Sequence, residues 1–336
     1  MNALYALFAV VGLVLLVFLG VSAAGLQVVF GVIIPYAAVS VFLIGVVYRV
    51  LKWATVPVPF RITTVCGQQK SLPWIKSSPL ESPPNAVYTA ARMALEILTF
   101  RSLFRNTSIS LAGDEQSPGG KRIVYSANFL LWLGAIAFHY CLLVILVRHF
   151  RFFTEPVAFF VPLVQTLDGF FQVGAPVVYM TGLIIVGALG YLLFRRFANP
   201  QVRYISLPAD YFPLFLLLGI AISGILMRYF FKVDVVKAKE LAMGLIGFHP
   251  VVPDGIGSLF YIHLFLVSVL VVYFPFSKLM HMGGVFLSPT RNLSNNNRAR
   301  RHVNPWDYPV DVHTYEHWEE EYRDKLEAAG IPLDKG

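Results

Sequence analysis

Four histidines stand in or at the edges of otherwise apolar runs. His139 and His149 are ten residues apart around one run, and His263 and His281 are eighteen apart along another. Imidazole is expensive to bury in hydrocarbon and is a good axial ligand for haem iron, so histidines in such places point to function. Two pairs on two long helices are the pattern of two haems held inside a membrane bundle. The remaining histidines, His249, His302, His313 and His317, fall outside the apolar runs and read as surface residues. Cys66 and Cys141 are too few for an iron–sulfur centre and too far apart for a paired-thiol motif, and Cys141 reads as a small packing residue.

The elements that must carry these histidines are apolar helices. Of 336 residues, 57% are hydrophobic and 14% charged, with a mean hydropathy of +0.64. That composition is far from the soluble average and belongs to a polytopic membrane protein. A bilayer core asks for ~20 apolar residues per helix, and six runs meet this: about 3–23, 28–53, 125–147, 174–197, 210–231 and 258–280. The fold class expected is therefore an all-α, six-helix transmembrane bundle. The first run has no basic leader and is followed almost at once by a second, so it reads as a retained helix rather than a signal peptide.

The net charge of +8 bears on topology, not on nucleic acid. With six alternating spans, one side receives 21 of the 27 Lys and Arg residues and the other 6. The positive-inside rule then places both termini and the long loop after the second span in the cytoplasm. The reverse orientation would export Arg195, Arg196, Arg298, Arg300 and Arg301.

Four stretches follow: an N-terminal transmembrane hairpin (1–53), a cytoplasmic loop with an amphipathic helix (54–124), a four-helix di-haem core (125–285) and a cytoplasmic tail (286–336). Pro57, Pro59, Pro73, Pro79, Pro83 and Pro84 predict an extended start to the loop. From Asn85 to about Phe104 apolar residues recur at helical intervals, with Arg92, Arg101 and Arg105 beside them. Such a helix either packs on its own bundle or forms an interfacial platform for a partner. Thr107–Gly120 is polar and reads as a flexible turn. Gly174, Gly182, Gly187 and Gly190 predict close helix approach in span four. Residues 232–257 read as an external excursion with a turn or two of surface helix. The tail, with Asn304–Pro305–Trp306–Asp307–Tyr308 and the charged stretch Glu316 to Lys325, has the composition of a segment that orders on a partner.

Antiparallel spans give the histidines depth. Span three runs outward, so His139 is the inner and His149 the outer member. Span six runs back, so His263 is outer and His281 inner. Partners at one depth are His149 with His263 and His139 with His281. At ~1.5 Å per residue the two members of a pair lie ~15 Å apart along span three but ~27 Å apart along span six. This mismatch calls for tilt, the width of a porphyrin or a break at Pro275. Arg148 and Arg228, at the outer span ends, are candidates for propionate or quinone contacts, beside the simpler role of reaching the lipid headgroups. Arg49, Lys52 and Lys278 are the corresponding inner candidates.

Over residues 125–285 these histidine spacings resemble the gamma subunit family of respiratory nitrate reductase, di-haem b membrane cytochromes. The added hairpin, loop and tail are similar to the membrane cytochrome b subunits of the DsrMKJOP type, found in dissimilatory sulfur metabolism and in related heterodisulfide-reductase-like, menaquinone-linked complexes. The resemblance implies two haem b groups, one on His149 and His263 and one on His139 and His281. It implies menaquinone as exchangeable redox partner, with quinol near the outer haem. It also implies a cytoplasmic iron–sulfur, heterodisulfide-reductase-like (DsrK-like) subunit and further membrane and periplasmic subunits. A six-helix solute or ion transporter without haem is the alternative. It is expected to show internal repeats or interrupted helices, and no convincing repeat is seen.

Overall fold

The structure, a computed structural model, describes residues 1–56, 67–104, 108–113, 121–169, 177–288, 291–298, 309 and 311–334. Pro57, Pro59, Cys66, Gly174, Arg300, Arg301, His302 and the stretch 304–308 lie outside the described residues. Two compact units are present: residues 1–49 with 91–284, and residues 50–90 with 285–336.

The fold is an all-α membrane bundle with six transmembrane helices. The first span is α1 (Asn2–Ser22). After a turn at Gly25, which has φ +66°, the second span enters through a π-helical turn, Val29–Ile33, and continues as α2 (Ile34–Ala54). Next come α3 (Ala86–Thr99) and the short α4 (Arg101–Phe104). A two-stranded antiparallel hairpin follows, β1 (Ser108–Ala112) with β2 (Arg122–Ser126). The third span is α5 (Phe129–His149), and α6 (Phe160–Asp168) lies in the loop beyond it. The fourth is α7 (Met180–Ala198), joined through α8 (Pro200–Ile205) to the fifth, α9 (Pro208–Ile225), which ends in a second π turn, Leu226–Phe230. The excursion holds α10 (Val235–Ile246), and the sixth span is α11 (Ser258–Tyr273). The short α12 (His281–Leu287) and the tail helix α13 (Tyr315–Ala328) complete the chain.

Within the first unit, α5 packs along α7, α7 on α9, and α9 on both α1 and α11. One apolar core joins Val10, Val17 and Val21 of α1 to Leu216 of α9 and to Tyr261, Phe265 and Leu266 of α11. A second joins Cys141 of α5, Ile185 and Leu189 of α7 and Leu217 of α9. Cys141 is thus a buried packing residue. Only 17 to 33% of each spanning window is buried within the fold, so most apolar surface faces outward, as lipid requires.

The structure departs from the sequence reading at several points. Span six is not one helix to residue 281. α11 ends at Tyr273, and two 3-10 turns, Phe274–Phe276 and Lys278–Met280, flank Ser277 in extended geometry before α12 begins at His281. Pro275 lies in the first turn, where a proline removes a helical hydrogen bond. It is fully buried, and a Cβ on Gly45 of α2 would come within 2.7 Å of its ring. The ~27 Å rise expected for an unbroken helix therefore does not apply. Close helix approach is also made elsewhere than expected. A Cβ at Gly134 of α5 would sit 2.7 Å from Tyr191 of α7, whereas one at Gly182, Gly187 or Gly190 would meet nothing within 4 Å. Part of the polar Thr107–Gly120 stretch is β1, where Ile109 and Leu111 alternate with serines, a period-two pattern that suits a strand. α10 makes three turns, longer than the sequence suggested, capped by the Asp234 carboxylate accepting from Val236 and Lys237 N–H.

The second unit has its own ties. Asn295 is buried, its backbone N–H donating to Pro83 O at 2.6 Å and its side-chain amide to Ser82 Oγ at 2.7 Å. The start of the tail thus docks on the proline-rich loop. In α13 the Thr314 hydroxyl caps the helix by accepting from His317 N–H, and buried Glu319 accepts from Asp334 N–H.

Candidate functional site

The histidines meet in two pairs. The rings of His139 and His281 have centroids 6.0 Å apart, with planes at 84°. Those of His149 and His263 are 6.4 Å apart, with planes at 10°. An imidazole nitrogen binds a metal at about 2.0 Å, so a metal gripped head-on between two rings sets their centroids ~6 Å apart once each ring's half-width is added. Both pairs have that spacing.

Each ring is also oriented from behind. His139 Nδ1 lies 2.8 Å from Ala135 O, His149 Nδ1 2.7 Å from Ile145 O, and His281 Nδ1 2.8 Å from Lys278 O. A carbonyl can only accept, so Nδ1 carries the proton and the lone pair remains on Nε2. His263 Nδ1 lies 2.9 Å from Ser223 Oγ, and that hydroxyl spends its own proton on Ile220 O at 3.0 Å. Ser223 therefore accepts from His263 Nδ1–H and sets the same tautomer. Holding one ring nitrogen by an acceptor while the other is offered is the usual arrangement of a metal-binding histidine.

Among the described residues no group of three or more His, Cys, Asp or Glu could hold a bare metal ion. Two imidazoles per site fit instead a group that brings its own equatorial ligands, as a porphyrin does. The residues present fit haem at both positions.

The His149–His263 pair sits beside a charged cluster that the histidines alone did not reveal. Asp168, at the end of α6 and buried, receives Thr181 N–H at 2.9 Å and the Thr181 hydroxyl at 2.7 Å. Arg148 Nε lies 3.1 Å from Asp168 Oδ2, the oxygen that takes the Thr181 hydroxyl, and Arg148 Nη2 donates to Thr181 Oγ1 at 3.2 Å. The guanidinium carbons of Arg148 and Arg228 stand 3.8 and 4.1 Å from the centroid of the one Tyr179 ring. Arg228 rides on the π turn that ends the fifth span, a kind of turn frequent at functional sites. It donates to Val177 O at 3.1 Å, and its Nε is buried without a hydrogen-bond partner among the described residues. Arg148 is thus ion-paired with a carboxylate, and both arginines keep a buried Nε–H that makes no hydrogen bond among the described residues.

Beside the His139–His281 pair, Lys278 Nζ lies 2.6 Å from Asp210, a buried carboxylate that also accepts from Leu207 N–H at the start of α9. The backbone carbonyl of the same Lys278 holds His281. Phe100, between α3 and α4, meets His139 edge-on at 4.9 Å. Of the other expected surface residues, His313 pairs with Glu321 at 3.2 Å and packs near His317. His249 packs against the end of α10.

Sequence reading did not find Asp168, Thr181, Tyr179, Ser223, Asp210 or Phe100. For Asp168 and Asp210 a signal existed, since an acid in or beside an apolar run needs a partner.

Comparison with known proteins identifies the family. Residues 124–298 match the family described as nitrate reductase gamma subunit. An Archaeoglobus fulgidus protein named "Hdr-like menaquinol oxidoreductase cytochrome b-like subunit" is 52% identical over 292 residues, 85% of each chain. A protein of the same name from Archaeoglobus profundus is 41% identical over 281 residues, 82% of this chain and 81% of its own. The chain therefore belongs to the nitrate reductase gamma subunit family.

Proposed function

We propose that this chain is the membrane cytochrome b subunit of a menaquinone-linked oxidoreductase, holding two haem b groups on His139 with His281 and on His149 with His263. The observation that carries the reading is the two imidazole pairs at 6.0 and 6.4 Å, every ring with its Nδ1 against an acceptor. Held between two imidazoles, such a group would supply one-electron transfer rather than substrate chemistry. The chain's own part is to fix the rings and receive the quinone.

Menaquinone exchange is supported by the names of the two Archaeoglobus relatives. At the outer pair, Arg228 has the buried Nε–H suited to a propionate or a quinone carbonyl, and Arg148, fixed by Asp168, adds positive charge beside it. The inner pair faces the cytoplasm in the orientation set by the charge asymmetry, with both termini on that side. The amphipathic helix within 54–124 and the tail 286–336 then form the attachment for an iron–sulfur, heterodisulfide-reductase-like (DsrK-like) subunit. The hairpin 1–53 joins the di-haem core 125–285 to the other membrane and periplasmic subunits. We place the complex in dissimilatory sulfur metabolism of the DsrMKJOP type.

Adding a reduced menaquinone analogue to the purified chain is expected to reduce the haems within a mixing experiment, and Arg228→Ala to slow that reduction at least tenfold while haem content stays constant. Haems that dithionite reduces but the quinol does not would remove the quinone from this proposal.

A further inference from the structure

We propose that Phe100 is a positioning residue for the inner site: its ring closes one edge of the His139 imidazole and sets the reduction potential of the group bound there. The proposal rests on reading His139 and His281 as haem ligands.

Phe100 stands with φ +50°, a left-handed conformation that is an outlier for a bulky side chain and persists only where its surroundings enforce it. The enforcement is visible on both sides. From α5, the Tyr140 hydroxyl donates to Leu98 O at 2.8 Å and Trp132 Nε1 to Thr99 O at 2.7 Å, gripping the two residues before it. After it, Phe104 packs on Trp132 with centroids 5.1 Å apart, and Glu96 takes both the backbone N–H and the hydroxyl of Ser102. The corner is thus fastened to the histidine-bearing helix and drives one ring, Phe100, against His139 at 84°. Phe138 meets the same imidazole edge-on at 4.8 Å, so His139 is walled by two aromatic rings.

Such a wall has a redox consequence. The oxidised iron carries one more positive charge than the reduced iron, so a dry aromatic lining favours the reduced form and water favours the oxidised form. Phe100 is the wall element that comes from outside the spanning helices, and the one that a substitution can remove without touching α5.

The test is a spectroelectrochemical titration of the full-length purified protein, the inner couple being the one lost in His281→Ala. Phe100→Gly accepts the left-handed turn without strain and removes the ring. It is expected to shift the inner couple toward the oxidised form by up to about tenfold, or about 59 mV for one electron, and to leave the outer couple in place. Phe100→Leu, an apolar side chain that covers less of the imidazole edge, shifts the same couple in the same direction but by less than Phe100→Gly, and Phe100→Tyr, which keeps the ring, leaves it near the wild-type position. If Phe100→Gly loses haem, Phe100→Leu decides alone. Two haems with an unmoved inner couple in these variants, or equal shifts of both couples, would overturn the role given to Phe100. Wild-type protein with no haem would instead overturn the reading of the histidine pairs.

Discussion

At the scale of single residues, His263 differs from the other three ligand candidates. His139 and His149 lean on carbonyls one turn back, and His281 on one three residues back, support that comes with the backbone. His263 leans on Ser223 of α9, a side chain on another helix. Outer-shell partners of metal-binding histidines are worth roughly 10–100-fold in affinity. Ser223→Ala is therefore expected to weaken haem retention at the outer pair by about tenfold or more and to spare the inner pair, as read by haem loss during dilution. Equal retention at both pairs would mean that Ser223 does not orient the ring. The four histidines were legible from the sequence because residue type and spacing define them. Ser223 and Phe100 were not. A serine or a phenylalanine in an apolar chain is ordinary until the fold brings it to an imidazole from forty or so positions away.

At the scale of elements, the break at Pro275 accounts for what an ideal helix left in conflict. The unequal spacings of ten and eighteen residues cannot align on two straight helices. The 3-10 turns about Ser277 end the α-helical rise before His281, and Lys278 ties this corner to Asp210 at the start of α9. The proline marked the site of the break, but the path after it is set by packing against Gly45 of α2, which local pattern does not encode. The opposite end of the core depends on α6. Its Asp168 compensates Arg148 where both side chains are nearly inaccessible, at 3 and 11% exposure. Removing one partner of a buried ion pair typically costs about 3–5 kcal/mol. Asp168→Ala is thus expected to lower the unfolding midpoint in detergent markedly, and Asp168→Leu with Arg148→Met to recover much of the loss. A midpoint that does not move in Asp168→Ala would show that the pair contributes nothing.

At the scale of the whole molecule, the six spans and the all-α class were legible, since hydropathy reports directly on what lipid demands of a backbone. The tie of Asn295 and Asn296 to the Ser82–Pro84 corner was not, because prolines and asparagines in polar stretches carry no periodicity. This tie bears on the proposed attachment of an iron–sulfur partner. Ending the chain after about Asn304 keeps Asn295 and its contacts but removes α13. It is expected to reduce co-purification of the partner severalfold without loss of haem, whereas undiminished co-purification would take α13 out of the interface. The proposed function rests on the pairing of four histidines around two haems. It is tested most directly by the reduced-minus-oxidised spectrum of the purified protein, with haem per chain quantified in the wild type and in the four single His→Ala variants. Two b-type haems per wild-type chain are expected, with His139→Ala and His281→Ala losing one and the same component and His149→Ala and His263→Ala the other. A colourless wild-type protein, or a component lost in common by His139→Ala and His263→Ala, would contradict the account.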